Sequence, residues 1–270
     1  MSSVLDAVER IAPLPVSSSR NASIPDHELK VLIVGGSIAG LTLALALLRS
    51  GWPASSVSVF ERTEDGRRGG AGVTIDGLTV AILKGLGLFD SEEAATSWAG
   101  MPLYAELAAS GHVLDRTEAF GSFAIHWEKL YLALRGALPE GIVQYEKRLA
   151  RIERPSGGGV TTHFDDGSSA EGSLLVGSDG SASAVRNACA SAAGWAGPLA
   201  WRGYFTWRGV LPSTQCPPAV EAALRSAYPD LGRCLYFVTT DATLAVGGRP
   251  QHFVLYELGG GLLNWVLYKE

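Results

Sequence analysis

VLIVGGSIAGLTLALALLRSGW, residues 31–52, reads as a buried strand that turns directly into a helix. Val31 to Val34 is a short apolar run rich in β-branched residues, as a strand covered on both faces of a parallel sheet requires. From Ile38 the chain is rich in Ala and Leu for about three turns, and Gly51 with Pro53 supplies the stop. Val57 to Phe60 (VSVF) gives a second strand that ends at Glu61. Strand, glycine turn, helix, strand and acid therefore share one βαβ unit, the context in which such a turn acquires meaning. Gly35 permits the tight turn, Gly36, Ser37, Ile38 and Ala39 present the helix-start amides to a pyrophosphate, and Gly40 lets helix and strand pack closely. Ser37 stands where the middle glycine of G-x-G-x-x-G belongs. Its side chain is small enough for a phosphate to approach, provided the backbone does not need a positive φ there. Glu61 follows at about 20 residues, the spacing at which a carboxylate meets the ribose hydroxyls of a dinucleotide.

The bulk properties narrow the function classes. The 270 residues are 47% hydrophobic and 18% charged, enough for one large domain or two interleaved ones. A net charge of -5 offers no basic field for nucleic acid or an anionic membrane surface, so small molecules are the expected partners. Cys189, Cys216 and Cys234 form no C-x-x-C pair, which predicts neither a disulfide framework nor a metal site. No apolar run is long enough to span a membrane, and residues 1–28 lack the pattern of a secretory leader. A cytoplasmic location is the expectation, with an organellar one left open.

Along the chain, residues 1–28 read as a tail. A glycine-dense connection, Gly66 to Gly77, leads to a helical segment from Leu78 to Leu86. Residues 102–125 alternate in short runs, as two or three antiparallel strands would. HWEKLYLALRGALPEG, residues 126–141, is an amphipathic helix with Leu130, Leu134 and Leu138 on one face. A strand near Val143 to Tyr145, a hairpin from Arg148 to Phe164 and a turn at Asp165-Asp166-Gly167 follow. Beyond Trp201 the chain is aromatic and alternating to its last strand, the pattern of an antiparallel sheet. That last strand carries nothing after it to cover it.

A second motif lies between these regions. Leu174 to Val176 is read as a buried strand running into Gly177-Ser178-Asp179-Gly180, followed by Ser183, Val185 and Arg186. Glycines around an aspartate at a strand end place a carboxylate and exposed amides at the sheet's carboxyl edge, where ligands bind in open α/β sheets. With the Gly35 to Gly40 turn and the acid after the second strand, this G-x-D-G-x-x-S-x-V-R string resembles the flavin-dependent aromatic hydroxylases, the single-component FAD monooxygenases. The resemblance covers residues 30–270. Trp127-Glu128-Lys129-Leu130-Tyr131, Trp207-Arg208-Gly209 and Asn264-Trp265-x-x-Tyr268 are most similar to the 2,6-dihydroxypyridine 3-monooxygenase branch.

The resemblance implies an α/β fold, a three-layer Rossmann-like FAD/NAD(P)-binding domain with an interleaved antiparallel substrate sheet. The expected division is residues 29–100 and 126–190 for the nucleotide domain and 101–125 and 191–270 for the sheet, incomplete at its C-terminal end. It implies that Gly35, Gly36, Ser37, Ile38, Ala39 and Gly40 hold the FAD pyrophosphate, that Glu61 holds the ribose with Arg62 beside it, and that Gly72 contacts the cofactor. Asp179 and Gly180 would line the region shared by FAD and NAD(P)H, with Arg186 supporting their turn. NAD(P)H would reduce FAD, O₂ would form a flavin C4a-hydroperoxide, and one oxygen would pass to an aromatic or isoprenoid-like small molecule. A homodimer is compatible with this reading. No residue stands out as catalytic: His126 and His163 read as satisfied or surface histidines, and Tyr204, Tyr236 and Tyr256 as sheet core.

Two departures stand against the family pattern. No arginine lies near the start of the helix at His126-Trp127-Glu128, and the Gly-Asp fingerprint expected after the substrate sheet is absent from the sequence. An FAD-linked reductase or epoxidase of the same fold, and a non-catalytic truncated paralogue, are the alternatives. A plain NAD-dependent dehydrogenase fits the first turn but not the Asp179-Gly180 string or the returning sheet.

Overall fold

The computed structural model describes residues 29–64, 69–88, 100–107, 112–192, 203–239 and 251–269, with the backbone alone for 100–107 and 112–122. The expected tail lies outside these residues, as does part of the glycine-dense connection that begins at Gly66. Among the described residues, those within Pro13–Arg68 and Leu130–Leu199 form one compact unit, and those within Gly69–Lys129 and Ala200–Glu270 form another.

The first unit is built on the opening stretch. Strand β1 (Val31–Val34) lies between β2 (Val57–Phe60) and β10 (Leu174–Gly177), parallel to both, and β6 (Val143–Gln144) pairs with β2. All four β1 residues are buried, as a central parallel strand demands. Helix α1 (Ile38–Arg49) packs Gly40, Leu41, Ala44 and Leu45 inward, a stripe at helical spacing. A three-stranded antiparallel sheet adds another layer: β7 (Leu149–Glu153), β8 (Val160–Phe164) and β9 (Ser169–Gly172). Leu32 and Phe60 of the parallel sheet pack there against Val160 and Phe164, the two phenyl rings 4.6 Å apart. Strand β10 corrects the reading of Leu174 to Val176 as a buried strand. It is the edge of the four-stranded order and leaves Leu174 54% exposed, because only β1 flanks it.

The second unit is a seven-stranded sheet. Its order is β11 (Phe205–Pro212), β14 (Leu262–Lys269), β13 (His252–Glu257), β12 (Leu235–Thr239), β4 (Gly100–Leu107), β5 (His112–His126) and β3 (Gly72–Ile75). All pairings are antiparallel except that of β12 with β4. The final strand is not uncovered: β14 lies between β11 and β13, hydrogen-bonded on both sides. Segment 69–88, assigned from sequence to the nucleotide domain, clusters with this sheet, since β3 pairs with β5. Helix α2 (Gly77–Gly85) begins where Asp76 accepts the Thr79 N–H at 2.7 Å, a side-chain N-cap. Helix α3 (Trp127–Gly136) buries Leu130, Tyr131 and Leu134, and Leu138 just beyond it is buried too. Helix α4 (Ala184–Ala192) follows the Asp179-Gly180 string. Helix α5 (Pro218–Ala227) interrupts a region read from sequence as strands only. Its signals were local: Pro218 at the first turn, then Val220 and Leu224 four residues apart. Leu224 and Tyr228 cover one face of the sheet, packing on Tyr236, Val238, Leu255 and Leu263.

Candidate functional site

The two glycine motifs meet at the carboxyl ends of β1 and β10. Gly35 takes φ +107, and a Cβ there would stand 2.3 Å from the Ser178 carbonyl oxygen, so only glycine fits. Gly40 is equally confined, since a Cβ on it would fall 2.0 Å from the Gly35 oxygen. Ser178 fastens the junction: its amide donates to the Val34 carbonyl at 2.7 Å, and its hydroxyl to Val34 and Gly35 oxygens at 3.0 and 2.9 Å. Ser37 adopts φ -98, extended backbone open to any residue, so serine in the glycine position carries no backbone strain. Its side chain makes no capping hydrogen bond, and the first turn of α1 contains no acid. The amides at Ile38, Ala39 and Gly40 thus lie at the positive end of the helix dipole, with no acid in the helix's own first turn to compete for them.

Glu61 is buried at 7% exposure, yet it is anchored at both oxygens. Oε2 accepts the Gly36 N–H at 2.8 Å, and Oε1 accepts the Thr63 N–H and hydroxyl at 3.0 and 2.9 Å. These bonds hold the carboxylate rigidly beside the glycine turn. Asp179 has a structural task as well: its carboxylate accepts from the Ser183 hydroxyl and from the Ala184 and Val185 amides, and so caps α4. Gly180 takes φ +79 to reverse the chain, and Arg186 ties that reversal down by donating to the Ser181 carbonyl at 2.7 Å. Asp179→Ala is therefore expected to lower stability by about 1–2 kcal/mol through loss of the cap, read in a urea melt, and to weaken any ligand held by the Gly180 turn.

Gly35, Ser37, Glu61, Arg62, Asp179 and Gly180 line one cavity of about 390 Å³. Lys147 and Arg148 line it too, and sequence reasoning missed them. Their signal was position: they come a few residues after β6, whose carboxyl end points to the same edge as β1 and β2. Glu146 takes φ +60, rare for a residue with a side chain, and is held there as its amide and that of Lys147 donate to Thr63 and Glu61 carbonyls. Lys147 is shared with Asp166 and Ser168, and the Asp166 carboxyl is held far below the usual range by that ammonium and by Ser168. The cavity thus brings together the glycine turn that opens α1, cationic side chains and a fixed carboxylate, while Gly36, Ile38, Ala39 and Gly40 are not in its wall. That donor set fits a molecule with both a pyrophosphate and a ribose.

Gly72 is not among these residues. It begins β3 in the other unit, donates its N–H to Asn264 Oδ1 at 2.7 Å, and a Cβ on it would meet Tyr256, Asn264 and Leu258. His126 accepts the Glu128 N–H through Nδ1, and His163 pairs with Glu153 at 3.0 Å.

Comparison with known proteins agrees with this geometry. Residues 28–198 match the family described as FAD binding domain. The chain is 31% identical over 258 residues to 3-amino-4-hydroxybenzoate 2-monooxygenase of Streptomyces cremeus, covering 89% of this chain and 63% of that protein. It is 33% identical over 166 residues to a salicylate hydroxylase of Pseudomonas putida, covering 59% of this chain and 38% of that one. The chain therefore spans less than two thirds of these relatives. The fold is shared with 2,6-dihydroxypyridine-3-hydroxylase from Arthrobacter nicotinovorans, at a TM-score of 0.67 and 24% identity over 89% of this chain and 56% of the other. A glycine turn after a buried strand occurs in many nucleotide enzymes, but its junction with the Asp179-Gly180 turn and the match over residues 28–198 are specific, and the chain belongs to the FAD binding domain family.

Proposed function

We propose that this chain binds FAD and serves in an NAD(P)H- and O₂-consuming monooxygenation of a small electron-rich aromatic compound. The observation that carries the reading is the convergence of Gly35, Glu61 and Asp179-Gly180 on one cavity. The amides at Ile38 to Gly40 orient a pyrophosphate, Glu61 sets the place of a ribose, and Arg62 and Arg148 add positive potential at the rim. Bound FAD supplies the redox chemistry and oxygen activation, for which side chains have no equivalent. The protein's own part is position, charge and the exclusion of water. The named activities of the relatives from Streptomyces and Pseudomonas support the aromatic substrate class. No helix among the described residues is long and apolar enough to cross a membrane.

A flavin titration of the 270-residue chain tests the reading. FAD is expected to lose fluorescence on binding and to bind at least about tenfold more tightly than FMN, which lacks the adenosine for Glu61 and its neighbours to hold. Equal affinity for the two flavins, or none for either, would refute it. Oxidation of NADH or NADPH by the FAD-loaded chain, measured with and without candidate phenols, tests the reaction itself.

A further inference from the structure

Arg62, Lys147 and Arg148 line the cavity beside Glu61. Charge in that place decides what a ribose can carry. In dinucleotide sites a carboxylate takes the free hydroxyls, whereas a nearby cation accommodates a 2′-phosphate. The residues in the wall support both choices, and the contacts of Lys147 separate them.

Lys147 is in the wall, but its ammonium is engaged elsewhere. Nζ donates to Asp166 Oδ2 and, at 2.8 Å, to the Ser168 hydroxyl, and it lies 5.8 Å from the centre of the Phe164 ring. Asp166, Ser168 and Phe164 do not line the cavity. Two of the ammonium's donors are therefore spent outside it. Asp166 is itself fixed, because its Oδ1 accepts the Ser168 N–H at 3.0 Å and the Ser168 hydroxyl at 2.6 Å, closing the turn between β8 and β9. Asp165 of the same turn stands 3.6 Å from Arg148 Nε. Two carboxylates of one turn thus face two of the cations from outside the cavity. Glu61, on the inner side, cannot withdraw, since Gly36 and Thr63 hold both its oxygens. A 2′-phosphate would meet this fixed carboxylate while the Lys147 ammonium is turned away, a repulsion that uncharged hydroxyls do not suffer.

We infer that Asp166, by holding the Lys147 ammonium out of the cavity, makes this site select an adenine dinucleotide with an unphosphorylated ribose over its 2′-phosphorylated counterpart. Asp166 is a specificity-determining residue that acts through Lys147 and touches no ligand. The inference rests on the proposed function in placing the ribose of a bound dinucleotide beside Glu61.

Titration calorimetry of the whole chain with ADP-ribose and 2′-phospho-ADP-ribose tests this, because the two ligands share the pyrophosphate and differ only in the added phosphate. ADP-ribose should bind about tenfold or more tightly. Asp166→Asn keeps the oxygen that closes the turn but presents an amide NH₂ to the ammonium, so Lys147 is released and the preference should shrink about threefold or more. A turn that merely loosened would weaken both ligands in step and leave their ratio unchanged. Adding Lys147→Met to Asp166→Asn should restore the ratio of the unmodified chain. Equal affinity of the unmodified chain for the two ligands, an unchanged ratio in Asp166→Asn, or a shift that survives Lys147→Met would overturn the inference. Flavin binding measured alongside separates it from the proposed function. A chain that discriminates between these ligands but takes up no FAD upholds the selection and overturns the proposed activity, one that takes up FAD but binds neither ligand overturns the selection alone, and one that binds none of the three overturns both.

Discussion

Gly35→Ala is expected to lower stability by about 3 kcal/mol or more and to abolish flavin binding. Two costs combine. At φ +107 a side chain adds backbone strain of about 1–3 kcal/mol. Overpacking adds about 1–3 kcal/mol, because the new methyl would stand 2.3 Å from the Ser178 carbonyl oxygen and 2.8 Å from the Asp179 amide nitrogen. Those are backbone atoms at the junction of the two motifs and cannot rotate away. Gly158→Ala is the control: it has φ +93 but nothing within 4 Å of the added methyl, so it carries the strain alone. Urea melts of the two variants separate the terms. Equal losses would mean that contact between the motifs is looser than the geometry indicates.

The second large effect is expected at Glu61. Glu61→Ala leaves the Gly36 amide and the Thr63 amide and hydroxyl without the acceptor that now holds all three. Unsatisfied buried donors cost about 1–3 kcal/mol each, and water entering the vacated space recovers part of that, so a loss of about 2–4 kcal/mol is expected. Glu61→Gln should be scarcely better. Both carboxylate oxygens face donors, and whichever way the glutamine amide turns, its NH₂ meets another N–H. FAD affinity should fall at least about tenfold in both variants. A glutamine variant with native stability and affinity would show that one oxygen suffices.

Asp179 illustrates how sequence and structure divide the information. The residues marked it as a ligand-edge carboxylate, and the structure does place it on the cavity wall. Yet its oxygens are occupied by Ser183, Ala184 and Val185, so its role at the edge is to fix α4 and the Gly180 turn. The spacing Asp179 to Ser183 carried the cap as legibly as it carried the site, since both uses need a small acid at a strand-to-helix turn. Lys147 and Arg148 were legible only as a basic pair after a short strand. What made them part of the cavity is the pairing of β6 with β2, between residues far apart in the chain.

The sequence alone determined the β1–α1–β2 unit, the glycine turn and the second turn at Gly177 to Gly180. Each is written in contiguous residues whose periodicity and backbone freedom act locally. Only the tertiary structure decided that β14 lies inside its sheet, that β10 is an edge, and that Gly72 is glycine because Tyr256 and Asn264 fill the space where a side chain would go. Strand order and side-chain approach depend on pairings across nearly two hundred residues, as between Gly72 and Asn264. Local propensity does not encode them, because the same alternating pattern suits an edge or a central strand, and only packing selects between them.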